Sequence, residues 1–330
     1  MDVIAYHLGI ELTENCNLDC SHCFRGENEN KSITREIIEK IFDEVKYVYI
    51  LDLSGGEVFL GYNELKMLLE IAKEKGTIIE NCSMFTNGTI YDERIYNLLD
   101  NYFGNNYQVA ISDDDFHEKS IIRIYGQNEE SLEKVNNNMS KHLENPHNLG
   151  FIGGSRHLID TGRAVFLDTP KKQFEALGYY YDVYSDKCFA GPMIFIDVNG
   201  YISDINSEIS KRKEESIGNI LENTIYNSLV NGGIKVKTKE PFEFFSKRED
   251  DFYTHKGDHL IFKNNKMAYT TYTKDTKYWE AVNKVESDME DFIKAVKENK
   301  IAEFFENWDP IYDGDLSQIE HEEYQKVLNH

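Results

Sequence analysis

The feature that most limits the fold of this sequence is a regular alternation of strand and helix patterns over residues 3–112. Four segments have the apolar content and spacing of strands: residues 3–12, 47–53, 78–85 and 108–112. Between them, apolar residues recur at helical spacing, as at Ile37, Ile41 and Val45. Strands that alternate with helices in this rhythm predict parallel βαβ units and an α/β fold.

A polar motif follows each of these strands where the strand ends. The four motifs are residues 16–23, 54–57, 86–88 and 112–118. The C-terminal ends of parallel strands meet at one edge of a sheet or barrel, and catalytic groups collect at that edge. The sequence therefore predicts a single site to which all four motifs contribute.

The first motif contains three cysteines, Cys16, Cys20 and Cys23, in the spacing C-x3-C-x2-C. Three thiolates can hold three corners of a [4Fe–4S] cube and leave its fourth iron without a protein ligand. Clusters in simple electron carriers normally have four cysteine ligands. The triplet therefore indicates a cluster that binds a second molecule at its open iron.

Zinc is the alternative metal for these thiolates, because zinc sites also use cysteine and histidine ligands. The fourth ligand would then be His22, which lies between two of the cysteines, or Cys82 or Cys188. A chain of that kind would be a non-catalytic zinc-binding protein.

The triplet, placed just after a strand, resembles the radical SAM superfamily. The resemblance implies an open, partial (β/α)6 barrel with one [4Fe–4S] cluster and S-adenosylmethionine at its mouth, and it makes Cys16, Cys20 and Cys23 the cluster ligands. In that family an electron from the cluster cleaves S-adenosylmethionine to a 5′-deoxyadenosyl radical, which abstracts a hydrogen atom from the substrate. An external one-electron donor such as flavodoxin or ferredoxin would supply the electron.

The second motif, Gly55-Gly56-Glu57, ends the second predicted strand. Two glycines allow the backbone to approach a ligand closely, and a carboxylate can pair with an ammonium group. In the family this motif contacts the amino group of the methionine moiety, and the resemblance gives Glu57 that role; by itself, Gly-Gly-Glu is a turn. Arg163 or Arg156 could pair with the carboxylate of the same moiety, because arginine suits bidentate binding of carboxylates.

The third and fourth motifs supply further candidates for cofactor and substrate binding. Thr86-Asn87-Gly88 matches a third-strand ending of the family, although Asn-Gly is also a common turn. Ser112 and Asp114 match a Ser-x-Asp pattern whose side chains lie near the ribose in family members. His117 could face the substrate, and the alternative for this acidic stretch is a solvated loop.

Residues 188–202 have the pattern of a β-hairpin that turns at Asn199-Gly200. Together with residues 217–220, the hairpin resembles the SPASM or twitch extension of radical SAM enzymes, which normally binds auxiliary iron–sulfur clusters. The second cysteine expected near Ser203 is missing, and no cysteine follows Cys188. The sequence therefore predicts the shape of the extension without an auxiliary cluster.

Cys188 is then left as a thiol that could donate a hydrogen atom to a substrate radical. The alternative is a buried structural cysteine, the usual state of a lone one. The expected domains are a partial barrel over residues 1–185, a degenerate SPASM- or twitch-like unit over 186–230 and an α+β segment of unassigned role over 231–330.

The formal net charge of −23, from 59 acidic and 36 basic residues, disfavours broad binding of nucleic acids. It leaves room for a basic peptide or a cationic small molecule. The sequence shows neither the pattern of a signal peptide nor an apolar run long enough to cross a membrane. Five cysteines with three clustered do not form a disulfide framework, and a reducing cytoplasm is the expected location.

The sequence thus predicts a radical SAM enzyme whose substrate is a peptide, as in ribosomal peptide maturation by epimerisation or cross-linking. A small molecule or a nucleotide is the alternative substrate.

Overall fold

The structure is a computed structural model of the 330-residue chain. The residues it describes are 1–27, 29–112, 114–152, 158–159, 162–167, 171–172, 179–184, 187–191, 193–203, 207–235, 258–263 and 266–271. The chain divides into two compact units, Met1–Val236 and Lys237–His330. Both predicted parts before residue 231 therefore fall within the first unit.

The first unit alternates strands and helices over its first 150 residues, as predicted. Its strands are β1 (Asp2–Thr13), β2 (Val45–Gly55), β3 (Ile78–Thr86), β4 (Tyr107–Ser112), β5 (Asn148–Ile152), β6 (Leu158–Ile159), β7 (Lys171–Lys172), β8 (Tyr180–Tyr184), β9 (Lys187–Gly191), β10 (Ile194–Ile196), β11 (Tyr201–Ile202), β12 (Gly218–Asn219) and β13 (Ile234–Lys235). Its helices are α1 (Arg35–Glu44), α2 (Tyr62–Glu74), α3 (Glu93–Phe103), α4 (Asp115–Tyr125), α5 (Glu129–Glu144), α6 (Arg212–Glu215) and α7 (Ile225–Gly232). Short 3-10 turns cover Val58–Leu60, Gly162–Phe166 and Ile209–Lys211.

The main sheet has the order β12-β11-β10-β1-β2-β3-β4-β5, and strands β1 to β5 are parallel neighbours. The other neighbour of β1 is a continuation strand in two pieces, since β9 pairs in parallel with residues 2–5 of β1 and β10 with residues 8–10. The α/β class and the parallel order predicted from the sequence are confirmed. With helices between its parallel strands, the fold is that of an open, partial barrel.

One face of the sheet is packed against helices because apolar side chains alternate along each strand. Leu8 and Ile10 of β1 and Leu51 and Leu53 of β2 join one buried core with the apolar faces of α1, α2 and α3. Helix α1 begins after Thr34, whose side chain accepts a hydrogen bond from the Ile37 amide.

The intervening residues point to the opposite face, which we call the inner face. The inner face carries His7, Gly9 and Glu11 of β1, Asp52 and Ser54 of β2, and Ser83 and Phe85 of β3. Polar side chains thus replace the apolar filling of a closed barrel on this side of the sheet.

Two predicted elements differ from the structure. The acidic stretch after β4, for which a solvated loop was one prediction, forms the first turn of α4, and α4 itself was not predicted. The hairpin predicted to begin at Cys188 begins later: β10 and β11 pair around a turn at Asn199-Gly200, where Gly200 has φ 84°, whereas Cys188 lies in β9 and pairs with β1.

The second unit is described only over β14 (Asp258–Lys263) and β15 (Lys266–Thr271), which form an antiparallel pair. The α+β content predicted for residues 231–330 otherwise lies outside the described residues. Among the residues that the structure describes, no helix combines the length and the apolar content needed to span a membrane.

Candidate active site

A cavity of about 370 Å³ lies at the C-terminal edge of the sheet, where the sequence predicts the site. Most of the predicted site residues line it: Cys16, Cys20, Cys23, Gly55, Gly56, Asn87, Ser112, His117 and Arg163. This volume falls within the range of pockets that bind small molecules and cofactors. The four polar motifs therefore do come together, because their parent strands are adjacent and parallel.

The loop between β1 and α1 places all three cysteines of the triplet on this cavity. The amide of Cys23 donates to the carbonyl of Cys20 over 3.2 Å, which closes a turn between the second and third thiols. Sulfur of Cys16 accepts from the Leu18 amide at 3.4 Å and from the Asn87 side-chain amide at 3.8 Å. Asn87 therefore contacts the cysteine loop directly.

Burial raises the pKa of the Cys16 thiol to about 12 and that of the Cys20 thiol to about 11. Thiols of this kind hold their protons at neutral pH and are poor nucleophiles. A bound metal replaces the proton and keeps the sulfur as a thiolate. Metal binding at Cys16 and Cys20 would have to displace these protons, and without a metal the two thiols are poorly suited to nucleophilic chemistry.

Gly55 and Gly56 are required by contact with the protein's own backbone. A Cβ on Gly56 would lie 2.3 Å from the carbonyl oxygen of Glu14 and 2.4 Å from that of Asn15, and one on Gly55 would lie 2.5 Å from that of Thr13. The end of β2 can thus pack against the start of the cysteine loop only without side chains. Both glycines also line the cavity. That their backbone approaches a bound ligand stays a prediction.

Glu57 is buried and does not line the cavity. One carboxylate oxygen accepts hydrogen bonds from the Phe59 amide at 3.0 Å and the Thr86 hydroxyl at 2.7 Å, and the other accepts from the Asn87 amide at 2.8 Å. Burial raises the pKa of Glu57, and these hydrogen bonds act against that rise. Glu57 holds the end of β3 against the end of β2, and its predicted contact with an ammonium group is untested.

Asp114 connects helix α4 to the cysteine loop. It caps α4 through the Phe116 and His117 amides, and its other oxygen lies 2.7 Å from His117 Nδ1 and 3.2 Å from His22 Nε2. Burial alone would raise the pKa of Asp114, but the hydrogen bonds from His117 and His22 hold it well below its usual range. Asp114 is therefore an anion that orients two imidazole rings, and its predicted place beside a ribose stays a prediction, as does that of Ser112.

Four buried polar atoms of cavity-lining residues lack hydrogen-bond partners among the described residues: Oε1 of Glu14, Nε of Arg163, Nδ1 of His22 and Oδ1 of Asp52. Glu14 and Arg163 carry opposite charges when both are ionised. The other oxygen of Glu14 accepts from the Glu29 amide at 2.8 Å, and the Arg163 amide donates to the Cys23 carbonyl at 2.9 Å. Arg163 was predicted, Glu14 was not, and Arg156 lies outside the described residues.

Cys188 lies far from this cavity. It pairs with Val3 at the start of β1, whereas the cysteine loop follows Thr13 at the end of the same strand. Ten residues of strand separate the two positions, or about 30 Å. Cys188 is also fully buried in the apolar core. This position argues against the predicted role of Cys188 as a hydrogen-atom donor and matches that of a structural cysteine.

A buried network of four charged side chains below the cysteine loop was not predicted. Glu11 of β1 forms ion pairs with Arg25 and Arg212, one to each carboxylate oxygen. Arg212 also lies 3.7 Å from Asp197, and Arg25 donates to the Ser54 hydroxyl over 2.5 Å. The network joins the cysteine loop to the β10–β11 hairpin, some 170 residues later in the chain.

A second unpredicted pair lies deeper on the inner face. His7 Nε2 of β1 is 3.8 Å from Asp52 Oδ2 of β2, and Asp52 lines the cavity. Burial raises the pKa of Asp52 to about 7, against the opposing effect of the Arg25 guanidinium, and burial lowers the pKa of His7 to about 3. Both side chains therefore tend toward their neutral forms.

Comparison with known proteins agrees with this geometry. Residues 10–156 match the family model of the Radical SAM superfamily. YydG of Bacillus subtilis (strain 168), whose name links it to peptide biosynthesis, is 34% identical over 83 residues, or 22% of this chain and 26% of YydG. AlbA of the same organism, named for biosynthesis of the antilisterial bacteriocin subtilosin, is 28% identical over 100 residues, or 29% of this chain and 21% of AlbA. The chain thus spans about a quarter of the length of each of these relatives.

Solved structures with a similar fold include BtrN in complex with AdoMet and 2-DOIA, at 15% identity and a TM-score of 0.41, covering 75% of this chain and 88% of BtrN. Another is anSMEcpe with bound AdoMet and the Cp18Cys peptide, at 15% identity and a TM-score of 0.41, covering 73% of this chain and 82% of that one.

Proposed function

We propose that this chain, whose residues 10–156 belong to the Radical SAM superfamily, is an enzyme that cleaves S-adenosylmethionine reductively at one [4Fe–4S] cluster. The observation that carries the proposal is that Cys16, Cys20 and Cys23 all line one cavity at the C-terminal edge of a parallel sheet. When bound, the cluster and S-adenosylmethionine supply a 5′-deoxyadenosyl radical that abstracts a hydrogen atom from the substrate.

The cysteine loop fits such a cluster in two respects. All three thiols of the triplet line the same cavity, as the ligands of one cluster must. The hydrogen bonds from the Leu18 amide and the Asn87 side chain to Cys16 stabilise negative charge on that sulfur, which is one way a protein tunes an iron–sulfur cluster.

The cavity also fits the zwitterionic methionine moiety of S-adenosylmethionine. Glu14 offers an unpartnered carboxylate oxygen for the ammonium group, and Arg163 offers an unpartnered guanidinium nitrogen for the carboxylate. We assign the ammonium contact to Glu14 in addition to Glu57, because the Glu57 carboxylate already accepts three hydrogen bonds from the protein. Asp114 orients His117 toward the cavity that it lines.

Anaerobic reconstitution with iron and sulfide, followed by iron counting and a dithionite assay for 5′-deoxyadenosine, tests the proposal. Wild type is expected to hold about four irons per chain and to form deoxyadenosine. Cys20→Ala is expected to lose both, because two thiolates do not retain the cube. Cys82→Ala is the matched control, since Cys82 is a buried cysteine of the β3 core. Deoxyadenosine formation by Cys20→Ala would contradict the proposal, and about eight irons in wild type would contradict the single cluster.

Zinc binding is the second candidate, and one observation favours it. The ligand atoms of Cys20, His22 and His117 lie within 4.8 Å of one another, and Asp114 holds both imidazole rings as an outer carboxylate does in zinc sites. The same metal analysis separates the two functions. Stoichiometric zinc that survives iron reconstitution, without deoxyadenosine formation, would favour this second function.

For the substrate we propose a peptide, with an external one-electron donor such as flavodoxin or ferredoxin. The support is that two relatives are named for peptide or bacteriocin biosynthesis. Incubation of the reduced holoenzyme in D2O with short peptides encoded beside its gene tests this by mass spectrometry. Deuterium incorporation or loss of two hydrogens is expected, and deoxyadenosine formation with every such peptide left unchanged would favour a small-molecule substrate.

A further inference from the structure

The inner face of the sheet carries a carboxyl group that the protein leaves unsatisfied. Asp52 is 7% exposed and lines the cavity, and its Oδ1 has no hydrogen-bond partner among the described residues. Asp52 precedes Gly55 by three residues, so it lies about 10 Å below the cysteine loop along β2. Buried carboxyl oxygens are normally hydrogen-bonded, which makes this atom a candidate for contact with a ligand.

The charges around Asp52 are balanced without it. Glu11 and Asp197 neutralise Arg25 and Arg212 within the four-charge network. His7 faces Asp52 from β1 at 3.8 Å and adds no charge at neutral pH, because burial lowers its pKa to about 3. Among the described residues of the inner face, Asp52 is therefore the carboxyl group without a cationic partner of its own.

Phe85 supplies an apolar surface beside this carboxyl group. Phe85 lies on the inner face of β3, lines the cavity and is 48% exposed, which is unusual for a phenylalanine inside a fold. Asp52 pairs in register with Ser83, so Phe85 is two residues further along the neighbouring strand. Strand geometry places the Asp52 and Phe85 Cα atoms about 8 Å apart, which is comparable to the length of a lysine or arginine side chain.

We propose that Asp52 and Phe85 form the subsite for a basic side chain or amine of the substrate, with its aliphatic stem on Phe85 and its cationic head on Asp52. This inference rests on the proposed function for its setting, because that function places the reacting part of the substrate in the same cavity. A guanidinium or ammonium group supplies the donors that Oδ1 lacks. A cationic group would also favour the ionised form of Asp52, whereas an anionic group would oppose it and would bring no donor for Oδ1.

Binding of small probes to the full chain tests the subsite without knowledge of the substrate. The probes are agmatine, which carries a guanidinium and a primary ammonium group at the two ends of a four-carbon stem, and butyrate, an anion with a stem of similar length. Ligand-observed NMR with the full chain, measured both before and after reconstitution and addition of S-adenosylmethionine, is expected to give a roughly millimolar dissociation constant for agmatine and no binding of butyrate. Asp52→Asn should weaken agmatine binding about tenfold to hundredfold, and Phe85→Leu should weaken it severalfold.

Asp43→Asn is the matched control, because Asp43 lies on α1 and forms an exposed ion pair with Lys75. The substitution removes the same charge far from the subsite residues in sequence. It should leave agmatine binding unchanged. Equal binding of agmatine to wild type and Asp52→Asn, or no detectable binding to wild type, would overturn the inference. The iron and deoxyadenosine assays are independent of these probes. If the chain formed no deoxyadenosine but still bound agmatine in a way that depended on Asp52, the proposed function would be wrong and the subsite would stand.

Discussion

Replacement of Asp52 by asparagine should change how the stability of the protein depends on pH. The Asp52 carboxyl group is buried on the inner face, where burial raises its pKa to about 7. In the unfolded chain an aspartate has a pKa of about 3.9. The unfolded chain therefore releases this proton at lower pH than the folded protein does, and wild type loses stability as pH rises from about 4 to about 7.

The size of this loss follows from the difference between the two pKa values. A difference of about three, at 1.36 kcal/mol per pKa unit, corresponds to a full loss of about 4 kcal/mol above pH 7. Part of this loss of stability has already occurred at pH 5, so the change in the free energy of unfolding between pH 5 and pH 8 is about 2.5 kcal/mol. Asparagine has nearly the same shape and no proton to lose. The stability of Asp52→Asn relative to wild type should thus rise by about 2.5 kcal/mol over this range.

His7 makes the comparison between two proteins necessary. Burial lowers its pKa to about 3, so its contribution to stability is present above pH 6.5 and is lost as pH falls. This trend opposes that of Asp52 in the wild-type curve. Because His7 remains in Asp52→Asn, its contribution largely cancels in the difference between the two proteins.

Urea unfolding of metal-free, reduced protein at pH 5, 6, 7 and 8 measures this difference, with far-UV circular dichroism as the signal. Tryptophan fluorescence is unsuitable, because Trp279 and Trp308 both lie in the second unit and report on it rather than on the sheet. Asp43→Asn, which alters an exposed ion pair, should give a difference that does not vary with pH. Parallel pH curves for wild type and Asp52→Asn would refute the reasoning, since they would mean that Asp52 is hydrated and ionised in the folded protein.

Three further outcomes are expected. Glu57→Gln should lower the free energy of unfolding by about 1–3 kcal/mol in urea titrations, because the amide nitrogen of glutamine cannot accept the hydrogen bonds that one carboxylate oxygen of Glu57 now accepts. An unchanged free energy of unfolding would contradict this. Gly56→Ala should lower the iron content after reconstitution, because its Cβ would lie 2.3 Å from the Glu14 carbonyl oxygen. Gly61→Ala, whose Cβ would have no neighbour closer than 3.4 Å, should keep wild-type iron content. Cys188→Ala should leave deoxyadenosine and product formation intact, and a stall at product formation alone would restore its donor role.

The parts of the fold that the sequence predicts are those set by local periodicity. Strands β1 to β4 have the alternation or the short apolar runs that are typical of strands, and helix α1 has apolar residues at helical spacing. The cysteine loop was located by its spacing after β1. Helix α4 was not predicted, because it begins at the end of the acidic run Asp113-Asp114-Asp115 and only Ser120 and Ile121 are buried along it. Such a segment has little periodic signal.

Strand pairing is less accessible from local pattern. Asn199-Gly200 predicts a tight turn by its own chemistry, and the turn is there. The segment around Cys188 reads as a strand whether it pairs within a hairpin or with β1. It pairs on one side with β8, which precedes it directly, and on the other with residues 2–5, more than 180 residues away in the chain. The choice between a hydrogen-atom donor and a structural cysteine at Cys188 therefore depends on a register that the local pattern does not contain.

The four-charge network also could not be predicted from local pattern, because its members are far apart in the sequence. The network gives the β10–β11 hairpin a structural role. Glu11, Arg25, Asp197 and Arg212 are separate charges in sequence, and each would be read as exposed. In the structure all four are buried, and Glu11 bridges the two arginines. Loss of any one partner would leave an uncompensated buried charge, which costs about 3–5 kcal/mol. The hairpin and the segment that follows it therefore hold Glu11, and through Glu11 they hold Arg25, which follows the last cysteine of the triplet by two residues. Buried ion pairs within the chain therefore connect the hairpin to the cysteine loop.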